Sequence, residues 1–314
     1  MPSPTHVSVD GRTLALSNLD KVLYPRVGFT KGEVIHYYSE IAAVMVPHLA
    51  ARCITLRRWP NGVDEASFFE KRCPSHRPDW VPVSIGPGNE SEGSRKRAGD
   101  TSPIPYCRIE ERAALVWTAN LAALELHAPM AKADSLDVPT TLVFDLDPGA
   151  PATIVECAQR ALDMKEIFEV VGLEAFAKTS GSKGMQVYVP LNTPTTHREC
   201  ADFALGLGHV LMQQAPEAVT VTMTKSERPG KVFVDWSQNS RHKTTIAPYS
   251  LRAKDEPTVS TPVSWDEVAE CAEGEALSFT ATDVLDRIAR MGDLFGPVQT
   301  LQQELPMGSN RSRL

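Results

Sequence analysis

The stretch Thr140-Thr-Leu-Val-Phe-Asp145-Leu-Asp147-Pro-Gly149 constrains this chain more than any other. Its apolar run reads as a buried strand that ends in two carboxylates and then a turn. On a strand, alternate side chains share a face, so Asp145 and Asp147 point the same way, with Cα atoms about 6–7 Å apart. Two carboxylates so placed repel unless something positive lies between them, and hard oxygen donors suit Mg2+ or Mn2+. The plainer alternative is a polar strand end entering a Pro-Gly turn.

The 314 residues suffice for one large domain or two ordinary ones. With 42% apolar and 23% charged residues, the composition is that of an ordinary globular chain. No apolar run approaches the ~18–20 residues of a membrane span. Met1 to His6 lacks the basic-then-apolar signal pattern, so the expected location is cytoplasmic. The cysteines at 53, 73, 107, 157, 200 and 271 are scattered, which suggests neither a zinc ribbon nor a disulfide framework. Cys73-Pro-Ser-His76 has ligand-like spacing but no second pair, and is read as coincidence. A net charge of −7 argues against nucleic acid until its distribution is considered. Residues 1–60 carry seven Lys or Arg against four Asp or Glu, and residues 221–254 carry seven against two. Residues 255–314 carry four against eleven, so the acidity sits at one end. A local basic groove on an acidic protein is still a footprint for polyanions.

Along the chain, residues 7–16 predict a hairpin around Asp10-Gly11. Thr30 and Glu33 form a capping box that opens a helix with apolar positions from Val34 to Leu49. Residues 54–59 predict a strand with Arg57 and Arg58 at its end. Phe68-Phe69 places one ring on each face of an extended segment, so one ring is a candidate for exposure; the plainer expectation for such a pair is core. Residues 84–103, rich in Gly, Pro, Ser and charge, predict a loop or flap. Glu111 to Leu126 has helical spacing and delivers His127. A helix from 153 to 171 ends at Gly172. The turn Thr179-Ser-Gly-Ser-Lys-Gly184, before a strand over 186–191, can offer backbone N–H groups, a hydroxyl and a cation to phosphate. It lacks Walker A spacing. A helix over 196–214 and a strand over 231–236 follow, the strand ending in Asp235 with Arg241, Lys243 and Arg252 behind it. Residues 264–292 are acidic and helical. The expected organisation is one domain, 1–295, and a frayed tail, 296–314.

Asp145-Leu-Asp147, the Ser180–Gly184 turn and Asp235 on a Val-Phe-Val-Asp-Trp strand occur together with four other blocks. These are 19–25 (Leu-Asp-Lys-Val-Leu-Tyr-Pro), 58–64 (Arg-Trp-Pro-Asn-Gly-Val-Asp), 68–71 (Phe-Phe-Glu-Lys) and 122–127 (Ala-Ala-Leu-Glu-Leu-His). In this order they resemble the polymerase domain of bacterial ligase D, in the archaeo-eukaryotic primase superfamily, from about Leu16 to Gly292. The chain is read as a stand-alone member, like the primase-polymerases of mycobacteria, rather than an excised domain.

The resemblance implies an α/β (α+β) fold: a central mixed, largely antiparallel sheet flanked by helices, with a primase-like catalytic core. It implies a nucleotidyltransferase that fills short gaps in 5′-phosphorylated DNA during repair, favouring ribonucleotides, through two Mn2+ or Mg2+ ions. Asp145, Asp147 and Asp235 are then the catalytic metal ligands. Arg57 (often Lys in relatives), His127, Ser180, Lys183, Arg228, Lys243 and Arg252 are implied to bind the nucleotide. Asn18, Lys21 and Lys31 match a 5′-phosphate grip, and Phe68 and Phe69 match a base-stacking platform. The implied partners are gapped or broken DNA, NTP or dNTP, and a separate ATP-dependent DNA ligase in the bacterial nucleoid, with no membrane. Three departures from the family pattern stand out: Gln186 in place of the usual His, Ala-Pro-Met-Ala after His127, and the loop 86–99. The competing readings are a non-catalytic DNA-end-binding module and a primase acting on single-stranded template.

Overall fold

The structure, a computed structural model, describes residues 4–88 and 103–306. Strands β1 (Thr5–Val9) and β2 (Arg12–Leu16) form the hairpin expected at Asp10-Gly11, and β3 (Val22–Tyr24) pairs with β4 (Phe29–Thr30). Helix α1 (Lys31–Glu40) begins at the Thr30–Glu33 capping box, in which each residue accepts from the other's backbone N–H. The single helix expected to reach Leu49 is interrupted at Ile41 and resumes as α2 (Ala42–Leu49). Both halves bury their apolar faces in one core, which includes Val34, Tyr38, Met45 and Leu49.

Strands β5 (Thr55–Arg58), β6 (Phe68–Glu70), β7 (Val83–Gly86) and β8 (Ile104–Cys107) follow, then α3 (Arg112–Asn120) and β9 (Ala123–Pro129). Three expectations are corrected here. The helix expected over 111–126 ends at Asn120; Ala122 turns the chain at φ 56°, and Ala123 to Leu126 are strand. Ala123 to Leu126 are buried on both faces, so they lack the two-residue alternation that marks a half-exposed strand. The segment expected as loop over 84–103 begins as β7; residues 89–102 lie outside the described residues. Cys73 and Cys107 are joined in a disulfide, with Cα atoms 4.8 Å apart, where no disulfide was expected. A backbone hydrogen bond from Cys73 N to Pro105 O (2.8 Å) brings the two segments together, and the disulfide joins cysteines 34 residues apart in sequence.

The second half comprises β10 (Thr141–Pro148), α4 (Ile154–Val171), β11 (Phe176–Thr179), β12 (Met185–Pro190), α5 (His197–Gln214), β13 (Val219–Thr220), β14 (Val232–Asp235), β15 (Thr244–Ile246), β16 (Pro262–Val263), α6 (Trp265–Ala272) and α7 (Ala281–Met291). Its sheet has the order β13-β14-β10-β12-β11-β16 and is antiparallel except for β13–β14. That agrees with the mixed, largely antiparallel expectation. A second, antiparallel sheet, β15-β9-β5-β6, stands beside it.

Strand β10 explains how the acids come to stand on the face away from α4 and α5. Leu142, Phe144 and Leu146 are fully buried with Ala158 and Phe168 of α4 and Ala204 and Leu211 of α5. The other face carries Val143, Asp145 and Asp147. Each buried Leu or Phe contributes about 1.5–3 kcal/mol, and a one-residue slip would drive both aspartates under the helices. The register is therefore fixed by the hydrophobic pattern. The expected frayed tail also needs correction. Val298 is buried, Asn192 Nδ2 donates to Leu301 O (2.7 Å), and Gln303 Nε2 donates to Pro190 O (2.8 Å), so the chain stays docked as far as 306. Among the described residues, no helix is long and apolar enough to cross a membrane.

Candidate active site

Asp145 on β10 lies directly opposite Asp235 on β14 and opposite Gln186 on β12. Directly paired residues share a face, and Asp147 is two residues along, so all three acids project from one side. Burial first, then the charge of Asp147, pushes the Asp145 carboxyl up to about 7; Asp235 adds to the effect. Burial, then Asp235, also raises Asp147. Asp145 Oδ1 accepts from Gln186 Nε2 (3.0 Å), and Asp235 Oδ1 accepts from Ser237 N (3.0 Å) and Ser237 Oγ (2.6 Å). Gln238 Nε2 spans the two acids, 3.4 Å from Asp145 Oδ2 and 3.3 Å from Asp235 Oδ2. Among the described residues, no three His, Cys, Asp or Glu side chains are gathered as an ion would need them. Asp145 and Asp235 are instead turned toward amides and a hydroxyl. The donor set nevertheless fits a hard divalent cation, because three carboxylates on one face supply the oxygens and a cation would relieve the repulsion that raises Asp145.

The turn after β11 approaches the acids closely. A Cβ on Gly184 would stand 2.0 Å from Leu146 O, so only glycine fits there. Ser180 Oγ accepts from Ser182 N and Gly184 N, both at 3.2 Å, leaving its proton for an outside acceptor. The positive charges of Lys183, Arg228 and Arg252 bear on Asp147. Gly149 meets the backbone of Arg228 in the same way, a Cβ falling 2.0 Å from Arg228 O. The Arg228 guanidinium lies 3.6 Å over Phe233.

Facing these, β5 and β9 contribute a second group. Glu125 is 1% exposed. It binds Arg252 Nε (3.0 Å), His127 Nε2 (3.1 Å) and Arg57 Nη1 (3.5 Å). Burial opposes ionisation of Glu125, but hydrogen bonding from His127 and the charge of Arg252 outweigh it and hold the carboxyl at about 2. Burial lowers His127. Arg57 also stacks over Trp59 (4.5 Å) and Phe69 (5.0 Å), and Phe69 meets His127 edge-on at 5.6 Å. Phe68 and Phe69 are both exposed, at 44% and 58%, rather than core. Pairing with β5 fixes their faces, and each ring is covered on one side by an arginine, Arg58 over Phe68 at 5.2 Å.

Near Arg58, Lys31 Nζ donates to Ser17 O (2.6 Å), and Lys21 Nζ to Pro60 O (2.5 Å) and Asn61 Oδ1 (2.9 Å). Asn18, at φ 53°, turns the chain so that Lys21 N bonds its carbonyl (3.1 Å). Burial, with Lys21 and Arg58 nearby, lowers Lys31 to about 8. Lys243 joins neither group through a side-chain contact. It lines a crevice with Thr55, Lys71, Tyr106 and Arg241. Sequence reasoning missed two participants, Glu125 and Arg58. Both sit inside the motifs used above, but as one buried acid and one more surface arginine they gave no signal of their own.

The family model of the LigD primase-polymerase domain matches residues 30–295. The chain belongs to the LigD primase-polymerase domain family. The multifunctional non-homologous end joining protein LigD of Mycolicibacterium smegmatis is 45% identical over 285 residues, which is 90% of this chain and 36% of that protein. The Mycobacterium tuberculosis H37Rv protein is 41% identical over 314 residues, covering 98% of this chain and 39% of that one. The Bacillus subtilis bifunctional protein is 30% identical over 297 residues, 94% of this chain and 46% of that protein. This chain thus spans less than half the length of these relatives. Among solved structures, the polymerase domain of Mycobacterium tuberculosis ligase D in complex with DNA superposes with a TM-score of 0.82 at 39% identity, covering 92% of this chain and 99% of that one. The family's fold is thus present over nearly the whole of the chain.

Proposed function

We propose that the chain is a DNA-repair nucleotidyltransferase that fills short gaps during end joining. It extends a 3′-hydroxyl opposite a template on DNA that carries a downstream 5′-phosphate, and it favours ribonucleotides. One observation carries the reading: Asp145, Asp147 and Asp235 share a face, and the charges of Lys183, Arg228 and Arg252 bear on Asp147. Membership of the primase-polymerase family supports it, as does the likeness to a ligase D polymerase domain described with DNA.

Asp145, Asp147 and Asp235 would hold two divalent ions, Mn2+ or Mg2+. When bound, such ions supply Lewis-acid activation of the hydroxyl and charge stabilisation at the phosphates. The chain's own residues do the rest. Ser180, Lys183, Arg228 and Arg252 offer donors and charge to a triphosphate. Arg57 and His127 close the pocket beside the Phe69 ring, which offers a face to a base. Gln186 holds Asp145 by a neutral hydrogen bond where relatives use His. Lys21, Lys31 and Asn18 grip the 5′-phosphate, and Arg58 adds its charge there. Lys243 lines a separate crevice with Thr55 and Lys71, and its role toward the nucleotide rests on the family resemblance alone. The partners are gapped or broken DNA, nucleoside triphosphates and a separate ATP-dependent DNA ligase, met at the nucleoid.

The test is single-nucleotide incorporation into a gapped duplex with and without the 5′-phosphate, using ribo- and deoxyribonucleotides with Mn2+ or Mg2+. Incorporation stimulated by the 5′-phosphate supports the reading. An inactive wild type that still binds phosphorylated ends tightly would convert it to an end-binding module. Dinucleotide synthesis on single-stranded template without primer would mark a primase.

A further inference from the structure

We propose that Glu125 is a positioning residue for the nucleotide pocket: one buried carboxylate sets Arg57, His127 and Arg252 and, through Arg252, the phosphate-facing turn. The inference rests on the reading that these residues bind the triphosphate. It assigns a role to a residue that touches none of the reacting atoms.

Glu125 stands on β9 between its two neighbours in the small sheet, paired with Arg57 on β5 and two residues from His127 on the same face. The carboxylate is 1% exposed, and burying an ionised carboxylate is costly unless it is fully bonded. Here Oε1 accepts from Arg252 Nε (3.0 Å) and Ala253 N (3.3 Å). Oε2 lies 3.1 Å from His127 Nε2 and 3.5 Å from Arg57 Nη1. Every side chain on it belongs to the proposed nucleotide pocket. Arg252 then donates from Nη1 to Ser180 O (2.9 Å), which couples the small sheet to the turn on the large one. Long, flexible arginines have a large rotamer entropy to lose, so fixing two of them before substrate arrives lowers the cost of binding. The acid also offsets one of the two arginine charges, leaving a net positive pocket that still attracts a polyanion.

The experiment compares wild type, Glu125→Gln, Arg252→Ala and the double variant, measuring KM and kcat for ribonucleotide incorporation and Kd for 5′-phosphorylated gapped DNA. Glu125→Gln is expected to raise KM for the nucleotide about tenfold or more, given the strength of charge-assisted hydrogen bonds. DNA affinity is expected to stay within about twofold, and Glu125→Asp is expected to recover part of the loss. In the Arg252→Ala background, Glu125→Gln should add little, because its main partner is gone. If Arg252→Ala raises KM and Glu125→Gln does not, the proposal fails and the nucleotide reading stands. If neither variant moves KM, both fail. A Glu125→Gln protein that loses DNA binding in parallel would show an effect on the fold at large and also overturn the proposal.

Discussion

Arg57 and Arg58 are neighbours in sequence and stand on opposite faces of β5. Arg57 stacks between Trp59 and Phe69 and reaches Glu125, while Arg58 covers Phe68, bonds Glu70 (2.8 Å) and bears on Lys31. On the proposed function, one strand serves both the nucleotide pocket and the 5′-phosphate grip. Arg57→Ala should raise nucleotide KM about tenfold with 5′-phosphate discrimination unchanged, and Arg58→Ala should do the reverse. Incorporation kinetics and binding to paired DNAs with and without the 5′-phosphate would show this. Equal effects of both variants on both readouts would refute the division.

Asp145→Asn and Asp235→Asn remove metal-binding charge without adding bulk. Incorporation should fall by about 10^3-fold or more, the scale of losing electrostatic stabilisation of a transferring phosphoryl group. DNA affinity should hold, because Lys21 and Lys31, proposed to grip the 5′-phosphate, bond Pro60, Asn61 and Ser17 rather than the acids. Substantial activity in the double variant would remove the acids from the chemistry.

The proposed 5′-phosphate grip takes a pH dependence from Lys31. Burial lowers it from 10.5 to about 8, so it loses its proton at a pH where an exposed lysine stays charged. The extra affinity conferred by the 5′-phosphate should therefore be full below about 8 and decline as pH rises above it. Lys31→Arg should carry the effect to higher pH, since arginine stays protonated. A phosphate-dependent increment that stays flat from pH 7 to 10 in wild type would contradict the assignment.

Phe69 is 58% exposed, yet it sits between Arg57 and His127. Phe69→Ala should change unfolding stability by less than about 0.5 kcal/mol, as an exposed side chain does. It should weaken DNA binding by about 1–3 kcal/mol, as removal of a base-stacking ring does. Thermal melting and binding isotherms on one preparation would separate the two.

The Cys73–Cys107 link closes a loop spanning 34 residues of sequence. Reduction, or Cys73→Ser, should lower stability by about 2–5 kcal/mol. A melting temperature that does not respond to reductant would show that the bond contributes nothing.

The sequence by itself determined the frame. The apolar run of β10 and the Asp-x-Asp spacing at its end placed two acids on one face, because strand geometry has a period of two. Thr30, with a glutamate three residues on, marked where α1 begins, and the structure has that capping box; Thr153 and Thr196 prove to open α4 and α5 in the same way. The tertiary structure decided the rest. Ala123 to Leu126 are buried on both faces, so their pattern was ambiguous until β5 and β15 paired on either side of β9. Pairing with β5 also exposed both phenylalanines. Asp145 and Asp235 are ninety residues apart and become partners only through the order of strands in the sheet. Glu125 matters because Arg57 and Arg252, from distant segments, converge on it beside its near neighbour His127. A local pattern fixes which face a residue takes; long-range packing alone fixes what that face meets, and here it brings the charges of Lys183, Arg228 and Arg252 to bear on Asp147, beside Asp145.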